Sequence, residues 1–141
     1  MRKIRSGKIF SLERIKEIFQ ASSMDTAAQK MGRKAESFAA RYFRRKGFVI
    51  VARNYRYQRA EVDIIVRKRR LLVFVEVKAR SSDRFGDPET FVSPKQKALL
   101  HTAAAHYVSA RAWSHAIRFD IVAIRVRNNQ LQLTHFEDAF Y

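Results

Sequence analysis

The chain has 141 residues, 47% of them apolar. That excludes a disordered tail and suits one domain with a sizeable core. It contains no cysteine, which excludes a disulfide framework, cysteine-based zinc sites and thiol catalysis, and no apolar run approaches the ~20 residues of a membrane span. The 29 Lys and Arg against 13 Asp and Glu give a formal net charge of +16, an excess that points to a polyanionic partner, nucleic acid ahead of an anionic membrane surface.

Residues 1–25 read as a basic amphipathic N-terminal extension. Leu12, Ile15, Ile18 and Phe19 recur at helical spacing, Ser11 can cap the short helix, and the Ser22-Ser23 pair ends it. Met1-Arg2-Lys3-Ile4-Arg5 is charged, but no apolar stretch follows, so no secretory signal is expected. Together with the absence of cysteine this suits a reducing compartment and a cytoplasmic location, with no membrane partner.

Residues 26–141 read as one α/β domain. A helix is predicted from Thr26 to Lys46, with Ala35, Phe38, Ala39, Tyr42 and Phe43 on its apolar stripe and Gly47 just past its end. Phe48 to Ala52 reads as a strand, followed by Arg53-Asn54-Tyr55-Arg56. Two apolar runs come next, Ala60 to Val66 and Leu71 to Lys78. Ser81 to Phe91 is a polar loop. Ser93-Pro94 is a cap followed by a first-turn proline, opening a helix to about Ala110 with Leu99, Ala103, His106 and Tyr107 on one stripe. Ala116 to Arg127 alternates as a strand, Asn128-Asn129 turns, and Leu131 to Phe136 returns. The order helix, strand, hairpin, helix, strand, strand predicts a mixed sheet of about five strands flanked by helices.

The hairpin can be placed in register. A tight turn between Arg69 and Arg70 sets Val66 against Val73, Ile64 against Val75 and Val62 against Val77, all apolar and on one face. The other face then carries Asp63 opposite Glu76 and Glu61 opposite Lys78. A one-residue slip would oppose apolar to polar side chains, which a half-buried sheet resists. Lys68-Arg69-Arg70 lacks the Asn-Gly signal of a two-residue turn, so a four-residue loop from Lys68 to Leu71 fits as well.

Like charges directly opposite each other destabilise by roughly 0.2–1 kcal/mol, so Asp63 and Glu76 require compensation. A divalent cation supplies it, since Mg²⁺ is held by one or two carboxylates together with phosphate oxygens and water. Lys78, two residues after Glu76, projects from the same face and reaches the same phosphate. The bland reading makes Glu61–Lys78 and Glu76–Lys78 surface ion pairs, which leaves Asp63 without a cation. His101 and His106 are five apart and fall on different helical faces, so a zinc pair is not expected, and His115 and His135 have no evident partner. Tyr55, Tyr57 and Trp113 suit either base stacking or the core, and no nucleophile elbow is present.

Gly32-Arg33-Lys34-Ala35-Glu36, Arg53-Asn54-Tyr55-Arg56, Ala60-Glu61-Val62-Asp63, Phe74-Val75-Glu76-Val77-Lys78-Ala79-Arg80, Phe85-Gly86 and Lys95 together carry a resemblance. The chain resembles the YraN-like family of small bacterial proteins and, through it, the PD-(D/E)xK nuclease superfamily with its restriction-endonuclease-like fold, in which the archaeal Holliday-junction resolvases are the nearest well-understood relatives. The likeness spans about residues 30–137. It implies that Asp63, Glu76 and the backbone carbonyl of Val77 hold Mg²⁺ or Mn²⁺. Lys78 is then the motif lysine, Glu36 the helical acid that joins the site, and Lys95 a neighbour of the scissile phosphate. Arg33, Lys34, Arg53, Arg56, Arg80 and Lys95 are the expected contacts to the nucleic-acid backbone. Alanine stands at positions 35 and 60, where the family usually has glycine, and Val62 replaces the proline of the motif name. The implied activity is metal-dependent endonuclease cleavage of DNA, ahead of RNA, selective for branched structure rather than sequence. The alternative is a catalytically inactive nucleic-acid-binding module with the same fold, including one that binds structured RNA. Symmetric cutting of a four-way junction would require a homodimer.

Overall fold

The computed structural model describes residues 26–80 and 92–141; the expected extension at 1–25 and the loop at 81–91 lie outside the described residues. The chain divides into two compact units between Lys30 and Met31, and of the first only residues 26–30 are described.

Helix α1, Ala27–Arg45, opens on a reciprocal cap. Thr26 Oγ1 accepts the Gln29 N–H at 3.1 Å and Gln29 Oε1 accepts the Thr26 N–H at 2.9 Å. It closes where Gly47 takes φ +89° and the Phe48 N–H reaches back to the Phe43 carbonyl at 3.0 Å, a left-handed cap that glycine adopts without strain.

Five strands follow: β1 (Val49–Tyr57), β2 (Ala60–Lys68), β3 (Leu71–Arg80), β4 (Ala116–Arg127) and β5 (Gln130–Phe140), with helix α2 (Pro94–Ala110) between β3 and β4. They form one sheet in the order β1-β2-β3-β4-β5. The β3–β4 pair is parallel, as its helical crossover requires, and the other three pairs are antiparallel. The expected mixed α/β sheet of five strands with helices is therefore present. Both sheet faces carry a core. Ala35, Ala39, Ala40 and Phe43 of α1 pack on Ile64, Val66, Val73 and Val75. Leu100, Ala103, Ala104 and Tyr107 of α2 pack on Val62, Ile65, Leu72 and Phe74.

The hairpin register holds from Lys68↔Leu71 to Ile64↔Val75. Arg69 takes φ +55° in a two-residue turn. Asn128 and Asn129 both take positive φ, as a tight hairpin turn demands. Strand β1 runs past the expected end at Ala52 because it stays paired with β2 out to Tyr57↔Ala60.

One expectation is overturned. Val62 does not share a face with Ile64 and Val66: it lies in the α2-side core and they lie in the α1-side core. The register of β1 against β2 places Asn54 across from Asp63, and Asn54 is left-handed at φ +50°, a conformation asparagine tolerates better than most residues. Ala52 and Tyr55, three apart, accordingly pack on the same core. Both strands change face at this point, so a strict period of two fails on each. The β2–β3 ladder stops at Ile64↔Val75, and neither Val62–Val77 nor Glu61–Lys78 forms. From there β2 continues only with β1, and β3 continues only with β4.

Candidate functional site

The gap between β2 and β3 is where the acids meet. Asp63 Oδ2 accepts the Val77 N–H at 2.7 Å, so a side chain takes the place of the missing ladder bond. Glu76 lies on the α2 side of β3 and is only 7% exposed. Its Oε1 accepts Gln96 Nε2 at 2.9 Å and lies 3.2 Å from Lys78 Nζ. Helix α2 brings Gln96 there because Ser93 caps it, with Ser93 Oγ accepting the Gln96 N–H at 3.1 Å. A cleft of ≈ 280 Å³ opens over the acids, lined by Arg59, Glu61, Asp63, Glu76, Gln96, Leu99 and Leu100.

The electrostatics follow from this packing. Burial, reinforced by the charge of Glu76, pushes the Asp63 carboxyl from the ordinary 3.8 up to about 7, against the opposing pull of the Val77 N–H. Burial also raises Glu76, with Lys78 pulling the other way. The charge of Glu76 is felt at Asp63, an arrangement that favours keeping a proton on the pair when no metal is bound. Glu36 on α1 is raised as well, by burial and then by Asp63, while Arg53 and the Asn54 side chain oppose the shift.

The structure thus brings together Asp63, Glu76 and Lys78, with Glu36 within electrostatic reach. Val77 contributes its N–H to Asp63. Asp63 Oδ1 and Glu76 Oε2 have no N–H donor among the described residues. Two carboxylates with raised proton affinity and one uncommitted oxygen each fit a hard divalent cation, which accepts one or two carboxylates and completes its shell with water and phosphate. Among the described residues no group of three or more Asp, Glu or His side chains is gathered closely enough to hold a metal, so Glu36 stands outside the carboxylate pair as arranged here.

The predicted backbone contacts are more dispersed. Arg33 and Lys34 are exposed on α1, Lys95 is exposed in the first turn of α2, and Arg80 is exposed at the end of β3. Arg53 donates to Ser37 Oγ at 3.3 Å, and Arg56 pairs with Glu61 at 3.3 Å, so Glu61 turns to Arg56 and not to Lys78. Ala35 and Ala60, at the two positions where the resemblance leads one to expect glycine, are both buried.

Sequence reasoning missed Gln96 and Arg59 at the cleft. It also missed a second polar cluster under α1. Asp120, fully buried, is clamped by Arg118 through two bonds of 2.8 Å, by His135 Nε2 at 2.7 Å and by the Asp138 N–H at 3.0 Å. His135 Nδ1 meets the Tyr42 hydroxyl at 3.0 Å, so the histidine expected to lack a partner has two. Burial alone would raise the Asp120 carboxyl, but the bonds from His135, Arg118 and the Asp138 N–H outweigh it and hold the group below its usual range.

The molecule is an α/β protein whose mixed sheet parts between β2 and β3 around a carboxylate pair, Glu76 buried and Asp63 half-buried. The chain belongs to the family described as "Uncharacterised protein family UPF0102", the YraN-like family, whose pattern matches residues 35–124. It is 43% identical over 112 residues to a UPF0102 protein of Christiangramia forsetii, covering 79% of this chain and 94% of that one. It is 41% identical over 111 residues to UPF0102 protein FP2501 of Flavobacterium psychrophilum (79% and 93%). It is also 39% identical over 124 residues to UPF0102 protein Cpha266_0037 of Chlorobium phaeobacteroides (83% and 98%).

Proposed function

We propose that the chain is a metal-dependent endonuclease of the PD-(D/E)xK superfamily, with a restriction-endonuclease-like fold, that hydrolyses phosphodiester bonds in DNA. The observation that carries this reading is the convergence of Asp63 and Glu76 on an open cleft where two neighbouring strands part, with Lys78 Nζ 3.2 Å from Glu76. Asp63, Glu76 and the Val77 carbonyl would hold Mg²⁺ or Mn²⁺, which when bound neutralises a phosphate oxygen and acidifies a water. The Val77 N–H fixes Asp63, and Gln96 fixes Glu76, so both carboxylates are set before substrate arrives. Lys78 brings a cation to the phosphate and stabilises charge that builds in the transition state. Glu36, on α1 and outside the cleft lining, is linked to the pair through charge, with burial and then Asp63 raising its proton affinity. Exposed Lys34, Arg80 and Lys95 hold the backbone without reading bases, which favours selection of substrate shape over sequence. Among the described residues no helix is long and apolar enough to cross a membrane.

A second reading has its own observation. Lys78 is already committed to Glu76, and no third acid among the described residues joins the pair. A nucleic-acid-binding module that has lost hydrolysis would look the same. A cleavage screen with Mg²⁺ and Mn²⁺ on linear, flapped and four-way-junction DNA separates the two. The endonuclease reading expects metal-dependent cutting that Glu76→Ala and Lys78→Ala each abolish while DNA binding stays largely intact. Cutting that persists in both variants, or none by the unaltered protein, refutes it.

A further inference from the structure

The acid cleft continues past the carboxylates. Arg59 and Leu99 line it and also line a second hollow of ≈ 370 Å³, whose other walls among the described residues are Tyr57, Gln58, Ala60 and Thr102. The Tyr57 ring is held in place by stacking on His106, with centroids 3.8 Å apart and planes at 12°. His106 is fixed in turn by the Tyr55 hydroxyl at 2.5 Å from its Nδ1. Arg59 sits in the tight β1–β2 turn beside Gln58, which takes φ +54°. Its guanidinium is exposed and has no ion pair or hydrogen bond among the described residues.

We propose that this hollow is a nucleotide subsite. It takes one unpaired nucleotide of the strand whose phosphate lies over Asp63 and Glu76. The substrate is then a nucleic acid with a single-stranded segment beside the scissile bond, not a uniform duplex. The proposal rests on the nuclease reading for its placement of the phosphate.

The chemistry of the walls supports it. A nucleobase presents two apolar faces and a polar edge. The hollow offers Leu99 and Ala60 as an apolar floor and an immobilised aromatic side chain in Tyr57. For the edge it offers the Gln58 amide, whose nitrogen reaches the Tyr57 hydroxyl at 3.4 Å, and the Thr102 oxygen, which donates its proton to the Ala98 carbonyl at 3.0 Å and keeps its lone pairs as acceptors. Arg59 is common to both hollows, so it lies where the phosphate joining the two nucleotides would pass, and a guanidinium without a partner among the described residues is the fork for that group. A base inside a duplex cannot use such walls, because stacking covers its faces and its partner covers its edge. Binding to duplex through exposed Lys and Arg alone would need no hollow.

The test is equilibrium binding in EDTA, where no metal-dependent hydrolysis runs, by fluorescence anisotropy. The probes are a blunt DNA duplex and the same duplex with a single-stranded overhang of either polarity, with 2-aminopurine as the first unpaired base. The variants are Arg59→Ala and Thr102→Trp, both at exposed positions, with thermal unfolding as the check on folding. The unaltered protein is expected to prefer one overhang roughly tenfold, the discrimination that one stacked base supplies, and to quench its 2-aminopurine. Thr102→Trp fills the hollow and should remove both the preference and the quenching while leaving blunt-duplex affinity unchanged. Arg59→Ala should weaken the overhang more than the duplex. Equal affinity for blunt and overhanging DNA, or a preference that survives Thr102→Trp, overturns the proposal. An overhang preference without metal-dependent cutting sinks the hydrolytic reading and leaves the subsite standing. Cutting without any preference does the reverse.

Discussion

Asp63→Asn tests the carboxylate pair without reference to any substrate. The folded protein holds the Asp63 proton up to about pH 7, whereas the unfolded chain releases it near 3.8. Between those limits the native state binds more protons than the unfolded state, so stability falls as pH rises through the window. At about 1.4 kcal/mol per tenfold change in proton affinity, the ceiling is about 4 kcal/mol. Part of that rise comes from the charge of Glu76 and not from burial, so roughly half, about 2 kcal/mol, is assigned to Asp63 alone. Asparagine keeps an oxygen for the Val77 N–H and gives an N–H₂ to Glu76, which relieves the repulsion without a cavity. The metal-free variant should therefore melt roughly 5–10 °C above the unaltered protein at pH 8, and the gap should close by about pH 4. Thermal unfolding in EDTA across that range is the assay. Parallel curves for the two proteins would refute the reasoning.

The buried cluster under α1 behaves oppositely. Asp120 is held below its ordinary value, so its stabilisation is present above the unfolded value near 3.8 and is lost as pH falls through the folded one. Asp120→Asn should cost roughly 3 kcal/mol near neutral pH, read by denaturant unfolding, because Arg118 loses its buried counter-charge, and the deficit should shrink in acid; an equal deficit at both pH values would show that charge is not the cause. Binding of duplex DNA should weaken with salt at a log–log slope of about −0.9 per phosphate neutralised. Exposed Lys95→Ala should make that slope shallower by about one, and an unchanged slope would remove Lys95 from the interface.

Much of this was legible in the chain. The valine alternation of β2 and β3 specified their register because both sheet faces are buried, and a slip would have exposed apolar side chains. The Ser93-Pro94 start and the Asn128-Asn129 turn were readable as local chemistry. Where local rules met tertiary structure, the reading failed. The face change at Asp63 depends on Asn54 adopting φ +50° on the neighbouring strand, which no periodicity in β2 reveals. Gln96 had a signal, since Ser93 and Gln96 have capping-box spacing, but its side chain goes to Glu76 and not back to the cap. Asp120 had one too: it shares a face of β4 with Val122 and Ile124, and an acid there implied a buried partner. That partner, His135, lies on the next strand and could be found only through the β4–β5 pairing.

Metal-dependent hydrolysis by this chain requires that Asp63 and Glu76 grip a divalent cation. Electron paramagnetic resonance titration of Mn²⁺ into the unaltered, Asp63→Asn and Glu76→Gln proteins measures that directly. Saturable binding by the unaltered chain, lost in both variants while each stays folded, is the predicted result. Binding of equal strength in all three, or none in any, would contradict the central claim.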